Sequence, residues 1–287
     1  MDGCARHGSQ RAVRRGGATP VPLAPRENGT IVIASIRRFG LPAAVAAGWE
    51  IVARAAGMFY FPPPSVILAR MYEMWFSGPP SRGFLTPEAA SDLLPSLARL
   101  GTGWGMAAVV GIALGVVIGS LRVVSALLEP ALHFARSMPP SALFPMFMLL
   151  FGIGTPLQVA LIVFGVIWPI LINTMEGVRS IDPGYLDTAA VLRLGLGHRL
   201  FRIVLPAALP KILAGLRLSI SLALIMMVVS EMAGSTDGMG YRLREAEGSI
   251  DVAAMWSVIT LLGVLGIVLN AAFVALERRH LAWRTHA

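Results

Sequence analysis

Residues 100–121 read LGTGWGMAAVVGIALGVVIGSL, twenty-two positions without one charged side chain. A helix needs about 20 mainly apolar residues to cross about 30 Å of hydrocarbon, so this stretch is a membrane span by length and composition. Within it Gly103, Ala107, Gly111, Gly115 and Gly119 recur every four residues and lay small groups along one helix face. In lipid, where apolar burial does not drive helices together, such a face lets backbones approach closely. The stripe is helix packing, either within the chain or at a subunit contact, and not a ligand site.

Three more stretches qualify outward from this one: Leu157–Met175, Ile212–Ser230, which carries only Arg217, and Val252–Leu276. The whole chain agrees, because its 287 residues are 55% hydrophobic and 14% charged with a mean hydropathy of +0.69, whereas soluble domains are about 25% charged. The charge-free run Ser137–Met175 is too long for one helix, and Gly152-Ile153-Gly154-Thr155-Pro156 divides it. The part before that turn is broken by Pro139, Pro140 and Pro145 and is short, so its span starts earlier and draws Glu129, His133 and Arg136 toward the membrane interface.

A sixth span, Phe39–Phe61, contains Glu50 and Arg54. A mid-helix charge costs about 2.5–3.5 kcal/mol, which pairing four residues apart in the Glu-then-Arg order offsets. A cleaved signal peptide ending at Ala44-Val45-Ala46 is the competing reading, but its n-region would be far too long. The expectation is an all-α integral membrane protein with six transmembrane helices near 39–61, 97–121, 130–151, 156–175, 210–231 and 252–276.

The charges orient it. The tail 1–38 holds Arg6, Arg11, Arg14, Arg15, Arg26, Arg37 and Arg38 against Asp2 and Glu27, and the C-terminal tail from 278 holds Arg278, Arg279 and Arg284. The 176–211 connection adds Arg179, Arg193, Arg199, Arg202 and Lys211, while the 231–251 connection is acidic, with Glu231, Asp237, Glu245, Glu247 and Asp251. Six spans with both termini inside put every basic segment in the cytoplasm. The N-terminal tail, rich in Arg, Gly and Pro without periodicity, reads as disordered. It suits a topogenic signal better than a nucleic-acid site.

Several chemistries are excluded. The single Cys4 supports neither a disulfide framework nor a thiolate metal site, and the five histidines form no His-Glu-x-x-His pattern. The only lysine, Lys211, follows Pro210 and has Leu205 where a P-loop needs glycine. The chain binds no nucleotide through a P-loop of its own.

The long connection carries the mechanism. Asp182-Pro183 reads as an N-cap followed by Pro at the first helical position. A helix Pro183–Arg193 then shows Leu186, Ala189, Ala190 and Arg193 on one side, Leu194-Gly195-Leu196-Gly197 breaks it, and a second helix His198–Leu205 runs into Pro206. A connection this long, basic and small-faced suits docking of a cytoplasmic partner; an interfacial amphipathic segment without a partner is the plainer alternative.

Here the sequence resembles a family. Asp187-Thr188-Ala189, with Ile203, Leu205 and Pro206 at matching distances, is similar to the Glu-Ala-Ala … Gly … Ile-x-Leu-Pro coupling motif of ABC importer permeases. Trp49-Glu50, Phe61-Pro62-Pro63-Pro64-Ser65, Pro95-Ser96-Leu97 opening the second span, Pro139-Pro140, Phe144-Pro145, Phe151-Gly152-Ile153-Gly154, Leu205-Pro206-Ala207-Ala208-Leu209-Pro210 and Glu231-Met232 resemble its nitrate/sulfonate/taurine branch. The likeness covers about 40–280. Asp187 stands in place of Glu, Thr188 in place of the first Ala, and Arg193 in place of Gly, so the break is expected at Gly195–Gly197.

The resemblance implies a type I ABC importer permease in a bacterial inner membrane. It implies a second permease copy as a homodimer, a cytoplasmic ATPase dimer that binds ATP and Mg, and an extracytoplasmic solute-binding protein delivering a small solute such as a sulfonate, taurine or nitrate. No cofactor or metal is expected in this chain. The coupling residues would be Asp187, Thr188, Ala189, Ala190, Arg193, Gly195, Ile203, Leu205 and Pro206.

For the pathway, the Pro-broken third span offers Ser137, Met138, Ser141 and Met146, since broken helices expose backbone to water-filled cavities. These prolines equally suit a packed, bent helix. Glu231 would gate or pair with an arginine that the sequence does not identify. Two rival classes fit less well. A secondary transporter or channel would carry ionisable residues deep in several spans, and a membrane-embedded enzyme would show a nucleophile–base pair or metal cluster.

Overall fold

A computed structural model of the protein describes the backbone of residues 28–281 and, apart from Arg82, the side chains of 40–279. The tails at 1–27 and 282–287, with Cys4 and the tail arginines up to Arg26, lie outside the described residues. Contacts divide the chain into two units, Met1–Gly48 and Trp49–Ala287. The first is helical from Asn28, where α1 (Asn28–Ala56) begins, so helix replaces the expected tail over its last residues up to 38 and carries on through Pro42. The helices that follow α1 belong to the second unit.

The described residues are helical and contain no strand. After α2 (Pro64–Met71), the helix predicted from 97 starts ten residues earlier as α3 (Pro87–Ser120). Thr86 caps it by accepting a hydrogen bond from the Ala89 N–H at 3.0 Å, with Pro87 in the first turn. Pro95 therefore does not open the span but lies inside it.

The stripe on α3 faces α6 (Thr155–Arg179). A Cβ on Gly103 would lie 2.7 Å from Ile162, on Gly111 3.1 Å from Ile170, on Gly115 2.6 Å from Thr174, and on Gly119 2.9 Å from Val178. Both numbers rise together at a constant offset, so α3 and α6 run parallel. The stripe packs within the chain, which settles the choice between an internal and a subunit contact.

Parallel neighbours force the chain back across between them. The return begins in α4 (Arg122–Ser137), breaks at Met138–Pro139, makes a 3₁₀ turn over Pro140–Leu143 and ends in α5 (Phe144–Phe151). Phe144 already packs against Gly234 and Leu157, at the starting end of α6. The third crossing is thus broken where Pro139 and Pro140 stand, with Glu129, His133 and Arg136 inside α4. An eight-residue helix reaches only about 12 Å, so α5 alone cannot span.

Gly152 and Gly154, at φ +70° and +131°, form the predicted turn into α6. After α7 (Pro183–Val191), α8 (Leu196–Arg199) and a π-turn over Leu200–Val204, α9 (Leu205–Gly234) runs back along α6. Gly177 meets Ala208 and Gly165 meets Met226, one number falling as the other rises, so this pair is antiparallel. Leu161, Ile162, Val166 and Ile170 of α6 form the core with Ala107, Ala223 and Met227. After α10 (Met239–Gly248), α11 (Val252–Leu281) closes the bundle; its Ser257 accepts from the Trp75 indole at 3.2 Å. Among the described residues four helices are long and apolar enough to cross a membrane: Pro87–Ser120, Thr155–Arg179, Leu196–Gly234 and Val252–Arg279.

Gly115→Val pushes atoms into Thr174 and the Leu171 carbonyl, 2.9 Å from the new Cβ. We expect a loss of about 1–3 kcal/mol, read as a lower thermal midpoint in detergent. Gly105→Ala, where nothing lies within 4 Å, should leave the midpoint unchanged.

Candidate functional site

The two ends of the bundle carry different chemistry. At the end where α6 stops and α9 starts, Asp182 caps α7 by accepting from the Gly184 N–H at 2.8 Å. The helix stops at Val191 through a paired C-terminal lock: the Leu194 N–H donates to the Ala189 carbonyl and the Arg193 N–H to that of Ala190, both at 3.0 Å. This Schellman arrangement needs a left-handed residue at the position Arg193 fills, and Arg193 has φ +50°. The break therefore falls at Arg193 itself, the place of the motif glycine, and not at Gly195–Gly197; Gly195 is extended at φ −61° and Gly197 lies in α8.

The segment sits on an apolar footing of Val178, Ile181, Val204, Ala208 and Ile212, with Leu186, Leu200 and Leu205 packed against it. Ala189 is also buried, whereas Ala190 is exposed, so the two alanines do not share a free face as the sequence pattern predicts. Tyr185, Asp187 and Thr188 point outward, and Asp187 makes no side-chain bond among the described residues. Ile203 and Pro206 are half-buried. Val191 and Leu196 are 83% and 87% exposed.

At the opposite end Glu231 is fully buried in α9, which answers the question of its partner. It accepts from Arg99 Nη1 at 3.0 Å, from the Ser96 hydroxyl at 2.9 Å and from the Gly240 N–H at 2.9 Å. Arg99 reaches on to Asp237, Asp92 takes the Gly238 N–H at 3.0 Å, and Arg242 pairs with Asp92. Burial raises the Asp237 carboxyl, but hydrogen bonds from Arg99 and Ser235 hold it below its ordinary range. Gly238, at φ +106°, admits no side chain, since a Cβ would stand 2.6 Å from the Glu231 carboxylate.

Glu231 is thus a fully buried packing centre of this conformation. Ser137 and Ser141 are exposed, Met146 is 49% exposed and Met138 is half-buried; the Ser137 hydroxyl donates to the His133 carbonyl. The structure brings these residues together around the α4–α5 break but does not join them to Glu231.

Sequence reasoning missed Asp92, Ser96 and Arg99, although the signal was present. At spacings of four and three they continue the stripe of Gly103, Gly111, Gly115 and Gly119 upstream on the same face of α3. No cluster of three or more metal-ligating side chains occurs among the described residues.

Comparison with known proteins adds a family and a fold. The profile of the binding-protein-dependent transport system inner membrane component matches residues 107–281. The putative aliphatic sulfonates transport permease protein SsuC of Bacillus subtilis is 30% identical over 246 residues, 85% of this chain and 86% of that one. The bicarbonate transport system permease protein CmpB of Synechococcus elongatus is 34% identical over 198 residues, covering 69% and 71%. The nitrate import permease protein NrtB of Synechocystis is 30% identical over 229 residues, covering 80% and 83%. A solved structure of the MetNI methionine ABC transporter in an inward-facing conformation shares the fold, with a TM-score of 0.54 at 19% identity over 65% of this chain and 93% of that one.

Two outcomes follow from the geometry. Glu231→Ala strands the buried Arg99 guanidinium and should cost about 3–5 kcal/mol, measured by thermal unfolding in detergent. Arg193→Gly relieves a left-handed strain of about 1–2 kcal/mol and should raise the midpoint, whereas the β-branched Arg193→Val should lower it.

Proposed function

The chain belongs to the family of binding-protein-dependent transport system inner membrane components, and on that premise we propose that it is the membrane permease of an ATP-driven importer for a small anion. The fold is the all-helical one of type I importer permeases, and the chain is a transport subunit. The anion follows from the relatives, whose names specify sulfonate, bicarbonate and nitrate. A tetrahedral and two trigonal planar oxyanions among the relatives support the class and leave its member to the solute-binding protein.

The observation that carries the reading is the segment 182–206. It is capped at both ends of α7, rooted in the core through Val178 and Val204, and bare on its outer side at Tyr185, Asp187, Ala190 and Val191. A partner gripping that side moves α6 and α9 with it, because both helices end on the same apolar footing. ATP binding and hydrolysis belong to a separate ATPase dimer, since no P-loop lysine exists here; ATP and Mg reach this chain only through that dimer. The basic ends of α6 and α9 then face the cytoplasm, as the charge bias requires, with both termini on that side. The Arg99–Glu231 end faces the solute-binding protein. A homodimer of this chain forms the pathway, with the α4–α5 break and its Ser137, Met138, Ser141 and Met146 as lining candidates.

Ala190→Asp places a charge on the bare side without disturbing the footing, unlike a change at buried Ala189. Reconstituted with its ATPase and binding protein, this variant should insert normally yet lose solute uptake and solute-stimulated ATP hydrolysis. Uptake at the wild-type rate would overturn the docking assignment.

A further inference from the structure

A cavity of about 1040 Å³ opens at the end of the bundle that carries α7, between the last turns of α3 and α6, the first turns of α4 and the π-turn leading to α9. Its walls are largely apolar, with Val117, Val178, Leu200 and Val204 among them, and three guanidinium groups, Arg122, Arg179 and Arg199, lie along it. Arg179 is committed, donating to Glu129 and Ser125. Arg122 and Arg199 have no carboxylate partner among the described residues. The cavity therefore holds two cations in excess beside an apolar interior.

That combination selects its ligand. The volume stands at the upper end of the roughly 300–1,000 Å³ that encloses a drug-sized molecule, far more than an inorganic oxyanion fills. An apolar wall offers such an ion nothing, while a molecule with one anionic head and long apolar chains satisfies both parts. The mouth also continues onto lipid-compatible surface, since Val123 and Leu127 of α4, which share the helix face next to the cavity-lining Ala126, are each 73% exposed. Basic hollows between spanning helices are a recurrent seat for anionic headgroups.

We propose that this cavity seats one anionic phospholipid, its phosphate between Arg122 and Arg199 and its acyl chains against Val117, Val178 and Val204. The occupant bridges α4, α6 and the segment after α8, so its presence ties the return helix to the coupling end. The site does not depend on what the chain transports or on how it is oriented.

Native mass spectrometry of the full chain, released from nanodiscs of mixed phosphatidylglycerol and phosphatidylcholine, counts the lipids that survive detergent. One tightly retained phosphatidylglycerol per chain is expected. Arg122→Gln with Arg199→Gln should weaken its retention about thirtyfold, each charge near the surface contributing about a fivefold factor. Ala126→Trp, which fills the mouth from an exposed position, should displace the lipid with both arginines intact, and Arg122→Lys with Arg199→Lys should keep it. Thermal midpoints in pure phosphatidylcholine report whether each variant is folded. Equal retention of phosphatidylglycerol by a folded glutamine or tryptophan variant would overturn the proposal. So would inorganic phosphate displacing the retained lipid or raising the midpoint as much as phosphatidylglycerol does, because the site would then take a small oxyanion.

Discussion

The absence of side chains at Gly103, Gly111, Gly115 and Gly119 is the constraint from which the architecture follows. With hydrogen at these positions, α3 settles on Ile162, Ile170, Thr174 and Val178 at distances where one methyl group would collide at Gly103, Gly115 and Gly119 and crowd Ile170 at Gly111. Dispersion between close backbones, rather than expulsion of water, holds helices together in lipid, so this approach is an attractive term and not merely a permitted one. Because the contact is parallel, the 122–151 connection must return the chain from one end to the other. That return opens the space between α4 and the ends of α3 and α6. On its other flank α6 takes α9 antiparallel, again through glycines, Gly165, Gly177 and Gly215.

The two ends of this unit are finished in opposite ways. Glu231, Arg99, Asp92, Ser96 and the loop to Gly240 seal one end around a fully buried carboxylate, with the Arg99 and Asp92 side chains nearly buried beside it. Such a cluster is tolerable only when nearly every donor and acceptor is met, and Arg99 Nε is the one atom of Arg99 and Glu231 left without a partner. The reward is geometric definition, since a carboxylate held by a guanidinium, a hydroxyl and a backbone N–H has one position. The other end is open and carries a short capped helix on an apolar footing. That helix packs on residues from the end of α6 and the start of α9.

Arg193 fills a left-handed position that glycine would take more easily. The left-handed turn after α7 is demanded by the hydrogen bonds from Leu194 and Arg193 back to Ala189 and Ala190. Glycine would meet that demand without strain, and two glycines stand nearby, which is why residue type alone points to Gly195–Gly197. Backbone bonding fixes the turn by its distance from the helix start at Asp182, and the arginine accepts the strained angle. Pro95 misleads in the same way. Read alone it opens a helix, yet the Thr86 cap with Pro87 behind it starts α3 two turns earlier, and the bundle carries the helix through.

The sequence by itself determined that the chain is helical and spans a membrane, because runs of uncharged residues are long enough for little else, and it located the small-residue stripe, the 152–156 turn and the helix capped by Asp182. Each of those signals is local, resting on a period, a cap or a composition. What faces what was left to the tertiary structure. That the stripe meets α6 in parallel, that Ala189 turns inward and Ala190 outward, and that Glu231 finds Arg99 across 132 residues of chain are long-range pairings. Only the folded packing decides these, since a helix face names no partner until another helix is set against it.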